Sequence, residues 1–342
     1  MTKEDLNRII NAKAVPYPTG EISLIETHIS WVLLTDSYVY KIKKPLKFSF
    51  LDFSTLEQRR LCCEQEVALN RRLAPEMYLG VLPVVSEDGT PAIGGRGGEP
   101  VDYVVWMRRM DESRQMDLLM ERGLVEKRDV EGLALVLAEF HRKAPKVPGG
   151  TSFEELLEEF TDISTVIPFV NKHFGEEASA LLETVNRWVP VFLEGARGRI
   201  QERDRGGYVI DGHGDLHCRN VFLLDTPVVF DCIEFNEDLR SLDMLNEIAF
   251  LCMDLERYGR GDLAAVFTGR YLANNPIMDE ETDQDLFLFY KMYRANVRIK
   301  VSCIHQMEET GPSVERKKEE DLIRQYLVLY QRYFRELESR LD

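Results

Sequence analysis

His213-Gly214-Asp215-Leu216-His217-Cys218-Arg219-Asn220 runs directly into Val221-Phe222-Leu223-Leu224, then the turn Asp225-Thr226-Pro227, then Val228-Val229-Phe230-Asp231. The stretch sets three polar groups around two apolar runs: a carboxylate at Asp215, an amide at Asn220 and a second carboxylate at Asp231. The short apolar runs flanking a proline-containing turn predict a hairpin. The order suits phosphoryl transfer, which leaves the protein little covalent chemistry and needs only a few fixed groups. One carboxylate must orient an attacking hydroxyl and accept its proton. An amide oxygen and a second carboxylate must hold Mg²⁺, a hard ion that prefers oxygen. A solitary H-x-D is common by chance, and Asp215 and Asn220 taken singly would read as turn and cap residues. The three parts in order, with strands between them, carry the reading.

The pattern H-G-D-L-H-x-x-N, followed by a strand and an aspartate, resembles the signature of the aminoglycoside phosphotransferase and choline kinase-like family, small-molecule relatives of the protein kinases. The resemblance runs from about residue 20 to about residue 300. It points in particular to a bacterial subgroup in which this module is often fused to a P-loop ATPase-like domain. The resemblance implies an α+β, two-lobed, protein-kinase-like fold. Residues 1–108 would form a small, mostly antiparallel β lobe with one main helix, binding the nucleotide. Residues 109–342 would form a larger helical lobe with the catalytic loop at 213–220, the metal segment at 231–234 and acceptor-binding helices. ATP and Mg²⁺ are the implied cofactors, and a small-molecule hydroxyl is the implied acceptor. No G-x-x-x-x-G-K-[ST] occurs in this sequence, so any ATPase-like partner is expected to be a separate protein.

Composition narrows the field. The chain has 342 residues, 44% of them hydrophobic, which is ample for a core. A net charge of −16 argues against a general nucleic-acid binder or an anionic-membrane binder, and mildly favours cationic or neutral substrates. The six cysteines form no C-x-x-C pair and no zinc-like cluster with histidine. The sequence shows neither an apolar signal region nor a long apolar stretch, so a cytoplasmic protein with reduced thiols is expected.

Residues 1–20 predict a short helix and a proline-containing lead-in, and residues 21–25, 31–34 and 38–43 predict strands. Helical spacing of Leu56, Leu61, Val67, Leu69 and Leu73 predicts a helix over 54–73, with Ser54 as N-cap and Pro75 as the stop. Residues 78–85 and 101–108 predict two more strands about a glycine-rich turn at 94–98. Beyond Arg109 helices are expected at 116–123, 130–143, 153–160, 178–195, 241–258, 262–274, 284–305 and 314–340, interrupted by the catalytic segment.

A kinase needs a cation on the nucleotide phosphates, oriented by a buried carboxylate. Side chains alternate along a strand, so Lys41 and Lys43 share one face and Lys44 points the other way. Lys41 is the preferred phosphate lysine, with Lys43 as the alternative. An edge strand guarded by lysines is the plainer reading, and it suits Lys43 and Lys44 better than Lys41. Glu66, in preference to Glu64, matches the family's ion-pair residue on the following helix. Ser30 or Thr27, in the loop between the first two strands, would contact phosphate. The segment 103–109 takes the hinge position against adenine, with Met107 as the cofactor contact and Trp106 standing where many relatives carry arginine.

Asp215 is expected to position the acceptor hydroxyl, with His213 as the histidine that braces the catalytic loop. Asn220 and Asp231 are the expected Mg²⁺ ligands. Glu234 reads as a second metal ligand, a loop brace or an acceptor contact. Arg240 and Asp243 predict a buried pair. For the acceptor, Glu247, Asp254 and Glu256 suit an amine, whereas Tyr290, Arg294, Arg298 and Lys300 suit an anion. A small-molecule phosphotransferase is the leading expectation. A weakly active nucleotide-binding regulator is the second. A protein kinase is disfavoured because no A-P-E segment follows Asp231.

Overall fold

Alternating apolar residues in six segments pair into one antiparallel sheet in the computed structural model, which describes residues 1–48, 51–87, 89–95, 97–150, 152–308 and 314–341. Across the sheet the strands run Ser23–Glu26, Ser30–Leu34, Tyr38–Lys43, Pro100–Arg108, Tyr78–Glu87 and Thr90–Ile93. One face carries Leu33, Tyr40, Ile42, Val84 and Val104, which close on Leu6 and Ile9 of helix Lys3–Ala12. The other face carries Val39, Val105 and Met107, which close on Cys63 and Val67 of helix Leu56–Asn70. The central strands Tyr38–Lys43 and Pro100–Arg108 are therefore apolar on both sides, and the two lysines of Tyr38–Lys43 lie on the face under Leu56–Asn70.

That helix starts one residue later than its sequence suggests. Thr55, not Ser54, is the N-cap: its hydroxyl accepts the Gln58 amide, and the Gln58 side chain accepts the Thr55 amide. The helix ends at Asn70, well short of Pro75. Within the expected turn at 94–98, Arg96 lies outside the described residues.

The chain divides into two compact units, residues 1–115 with 220–237, and residues 116–219 with 238–342. The division departs from the expected boundary after residue 108, because the hairpin belongs to the first unit. Val221 pairs with Val229 and Phe222 with Val228, while Leu223 N–H donates to the Arg114 carbonyl at 2.9 Å and Phe222 bridges Gln115.

The second unit is helical apart from a short antiparallel pairing of Val209–Asp211 with Ser241–Asp243. Its centre is helix Met244–Arg257, in which every residue from Met244 to Leu255 is buried. Helices Lys127–Lys143, Gly261–Asn274, Glu281–Glu308 and Val314–Leu341 belong to this unit. Helix Glu176–Arg205 continues through Pro190 and ten residues beyond the expected end at 195. Helix Ile167–Phe174 was not expected. Among the described residues no helix is long and apolar enough to cross a membrane. All six cysteines are buried and unbridged.

Candidate active site

In the first unit, strand alternation delivers Lys41 and Lys43 to the same carboxylate. Lys41 Nζ lies 2.9 Å from Glu66 and 2.7 Å from Asp231. Lys43 pairs with the other Glu66 oxygen and with Glu234. The two lysines differ in access: Lys43 is fully enclosed, Lys41 keeps 13% of its side chain exposed and Asp231 keeps 44%. Burial opposes the charge on both lysines, but their carboxylate neighbours outweigh it and hold both firmly protonated. Burial likewise pushes Glu66 up, and the two lysines more than reverse it. Glu234 hydrogen-bonds to Lys43 alone of the pair, and burial keeps its carboxyl above the ordinary range.

Helix Leu56–Asn70 also holds the backbone next to Asp231. Asn70, one turn beyond Glu66, accepts the Cys232 amide at 2.9 Å, and the Tyr78 hydroxyl accepts the Asp231 amide at 3.3 Å. Asp231 itself has φ of 62°, a left-handed conformation that aspartate tolerates better than most side chains. The strained backbone and its anchors aim an exposed carboxylate beside Lys41.

Ser30 stands directly across from Lys43 on the neighbouring strand, on the lysine face. Its hydroxyl is buried without a hydrogen-bond partner. Its backbone closes a turn with Thr27, whose hydroxyl accepts the Ser30 amide at 3.0 Å. Met107 is a core residue under helix Leu56–Asn70, so its side chain is not offered to a nucleotide. Trp106 faces the other way, stacked near Tyr17 and Tyr38 on the side of Lys3–Ala12. Glu234 is 4% exposed and engaged by Lys43, which makes it a brace of the lysine pair and not an open metal ligand.

Hard oxygen donors for Mg²⁺ are present in this unit at Asp231 and Asn220. Among the described residues no cluster of three or more acidic, histidine or cysteine side chains could hold a metal unaided. Mg²⁺ takes one or two protein oxygens beside phosphate and water, and the side-chain oxygens of Asp231 and Asn220 are of that kind. The buried Ser30 hydroxyl on the lysine face is a further polar group without a hydrogen-bond partner.

In the second unit the loop from His213 to Cys218 is held at both ends by helix Met244–Arg257. Glu247 accepts the amides of His213 at 2.5 Å and Gly214 at 2.8 Å. Seven residues on, Asp254 accepts the Cys218 amide at 2.9 Å. Glu247 also meets His141 Nε2 at 2.9 Å, and His141 Nδ1 meets the Tyr271 hydroxyl at 2.6 Å. Burial works against the Glu247 charge, yet His141 and the loop amides bring its pKa down to about 2. Gly212 is needed for this approach, since a Cβ there would stand 2.4 Å from a Glu247 carboxylate oxygen.

Asp215 is gripped locally. Its amide donates to His213 Nδ1 at 3.3 Å, and its carboxylate lies 3.3 Å from His217 Nε2. Burial would raise its pKa, but His217, Arg298 and His213 overcome this and keep it well below the usual carboxylate range. Asp215 is thus held as an anion. His213 is 1% exposed and serves the loop, as its sequence context implies.

Three sequence expectations for this unit need correction. Glu247 and Asp254 are loop braces, and Glu256 is taken by Lys291 at 3.0 Å and by the Tyr333 hydroxyl at 2.8 Å. None of the three is an open acceptor contact. Arg240 pairs with Asp211, and Asp243 pairs with Arg203, so the expected Arg240–Asp243 pair does not form. Lys300 is engaged by Asp162 at 2.6 Å.

The sheet with its lysine–glutamate pair, the hairpin and the helical second unit define a two-lobed protein-kinase-like fold. A choline/ethanolamine kinase family protein from Mesorhizobium loti shares it, with a TM-score of 0.54 at 11% identity, covering 98% of this chain and 99% of that one. A choline kinase from Cryptosporidium parvum Iowa II gives a TM-score of 0.56 at 10% identity, covering 98% and 97%. In sequence, the chain is 32% identical over 292 residues to uncharacterised proteins of Mycobacterium tuberculosis and Mycobacterium bovis. The match covers 83% of this chain and 55% of theirs, so the chain spans about half the length of the curated relatives it matches. No family model matches.

Proposed function

We propose that the chain is a phosphotransferase that moves the γ-phosphoryl group of ATP to a hydroxyl of a small molecule. The observation that carries this reading is Lys41, shared between the buried Glu66 and the exposed Asp231. A scaffold has no use for a lysine placed this way, whereas a phosphate site requires it. Lys41 would bind the phosphates, with the Ser30 hydroxyl as a further donor. Asn220 and Asp231 would hold Mg²⁺, which would supply positive charge against the charge developing on the phosphates. The acceptor oxygen forms a bond to the γ-phosphorus as the bond to the bridging oxygen breaks, and the electron pair leaves on ADP. The hydroxyl proton passes by way of Asp215 to solvent. Because Asp215 stays ionised so readily, its contribution is orientation and charge, with proton transfer late.

The test is ADP release with Mg·ATP and a panel of alcohols, run beside Mg·ATP binding on the same preparation. Binding with acceptor-dependent ADP release supports the reading. Binding with no release for any acceptor favours the alternative, a nucleotide-binding regulator acting beside a separate ATPase-like partner. A chain that does not bind Mg·ATP overturns both.

A further inference from the structure

We propose that the hydroxyl acceptor is an anion, an alcohol bearing a carboxylate or phosphate group, and that Arg298 binds that group. This rests on the phosphotransferase reading above and specifies its acceptor. Helix Glu281–Glu308 sets Arg294 and Arg298 one turn apart on one face. Arg294 is fully engaged: its Nε donates to Asn246 at 2.7 Å, a terminal nitrogen donates to the Gly214 carbonyl at 3.3 Å, and its guanidinium lies 4.9 Å from the Phe250 ring centre. These contacts fasten the helix face to the residue just before Asp215.

Arg298, the next position on that face, is different. Among the described residues it makes no ion pair, and its Nε is buried with no hydrogen-bond partner. Its guanidinium sits 5.8 Å from the Tyr326 ring centre and hydrogen-bonds to the Tyr326 hydroxyl, which leaves Nε as the unmatched nitrogen, and its charge reaches Asp215. A buried guanidinium nitrogen without a partner is costly, and a bound oxyanion would satisfy it. The planar fork of arginine matches carboxylate and phosphate geometry. The other cations of these helices are already matched: Arg257 to Asp254 at 2.7 Å, Lys291 to Glu256 at 3.0 Å, Lys300 to Asp162 at 2.6 Å.

The carboxylates point the same way. An ammonium acceptor would need an open carboxylate near Asp215. Glu247 and Asp254 hold loop amides, Glu256 holds Lys291 and Tyr333, and Glu159 accepts the Tyr293 hydroxyl at 2.6 Å. Asp117 accepts its neighbour's amide and faces Arg219. An ammonium would instead meet Arg298. The overall charge of −16 does not decide against an anion. Exposed charges beyond about 8 Å are screened at physiological salt, and a buried guanidinium at contact is not.

The experiment compares three acceptor classes at saturating Mg·ATP, read as ADP release. Glycerate, gluconate and glycerol 3-phosphate are the anions. Ethanolamine, choline and kanamycin are the cations, and glycerol and glucose are neutral. The anions are expected to give at least tenfold higher kcat/KM, and the carboxylate and phosphate members tell which oxyanion fits. Arg298→Gln should raise KM for the preferred anion at least tenfold while Mg·ATP affinity holds, and Arg298→Lys should recover part of the loss. Thermal melts on both variants report whether each is folded. A preference for cations overturns this inference and leaves the phosphotransferase reading standing. So does an Arg298→Gln that lowers kcat with KM unchanged, since Arg298 would then act only through Asp215. No ADP release with any class, while Mg·ATP binds, overturns both.

Discussion

At the scale of single residues, Lys41 and Lys43 of one strand and Lys44 just beyond it make three different predictions. Lys41→Ala should remove most of the rise in melting temperature that Mg·ATP produces, because a ligand stabilises only as far as it binds the native state. Lys44→Ala should keep that rise, since Lys44 is tied to Glu26 at 2.9 Å and to the Thr27 carbonyl. Lys43→Met should lower stability by about 3–5 kcal/mol without nucleotide, since it leaves Glu66 and Glu234 buried with one cation fewer. Equal nucleotide responses in Lys41→Ala and Lys44→Ala would show the wrong lysine was chosen. Asp215→Asn keeps the shape and removes the charge: ATP affinity should change little, and turnover should fall on the order of 10²-fold or more. Unchanged turnover would sink the role given to Asp215. The shared face of Lys41 and Lys43 was legible from strand alternation alone, whereas Glu66 was legible only through the family resemblance. That both lysines would meet it was not, because alternation gives a direction and no depth. Lys43 reads as edge decoration in sequence and lies fully enclosed in the fold.

Among elements, the hairpin and the helix Met244–Arg257 contrast. The hairpin Val221–Phe222 with Val228–Val229 was legible because two short apolar runs about a proline turn have few other uses. Its prediction concerns the metal. Asp231→Asn should abolish the Mg²⁺ dependence of ATP binding measured by titration, and Asn220→Ala should reduce it. Dependence that survives in Asp231→Asn would move the metal role to another carboxylate. Met244–Arg257 misled for a physical reason. Its carboxylates sit on a helix buried on every side, and sequence does not distinguish a carboxylate meeting loop amides from one meeting substrate. Arg240 and Asp243 misled likewise, since proximity in sequence says nothing of a partner forty residues away at Arg203. Gly212→Ala should test the brace. A methyl group 2.4 Å from Glu247 Oε2, the oxygen that meets His141, must shift the carboxylate whose other oxygen holds the loop amides. Turnover should drop and amide exchange at residues 213 and 214 should quicken, while Mg·ATP binding holds; unaltered exchange would count against the brace.

For the whole molecule, the buried carboxylates set an acid limit. Glu247 and Asp283 both have folded pKa values of about 2, below their ordinary 4.5 and 3.8. Burial opposes each charge; His141 and the loop amides outweigh it at Glu247, and Arg199 with Arg203 at Asp283. A folded pKa below the unfolded one gives stability that is complete above about pH 4.5 and drains away as pH falls toward 2. For Glu247 the fall from 4.5 to about 2 is worth on the order of 3 kcal/mol. Urea melts at pH 7 and pH 3 should therefore differ by less in Glu247→Gln than in the unsubstituted protein; an equal difference would assign the acid loss elsewhere. The same helix has a consequence for how such a protein diversifies. Two carboxylates two helical turns apart, about 10 Å, act as a fixed gauge for the loop that carries Asp215. Arg298 belongs to a different helix and, unlike Arg294, makes no bond to that loop, so on the proposed reading a change at Arg298 alone would retune which molecule is accepted while the gauge stays in place. A lineage built this way can change its customers without re-inventing its reaction.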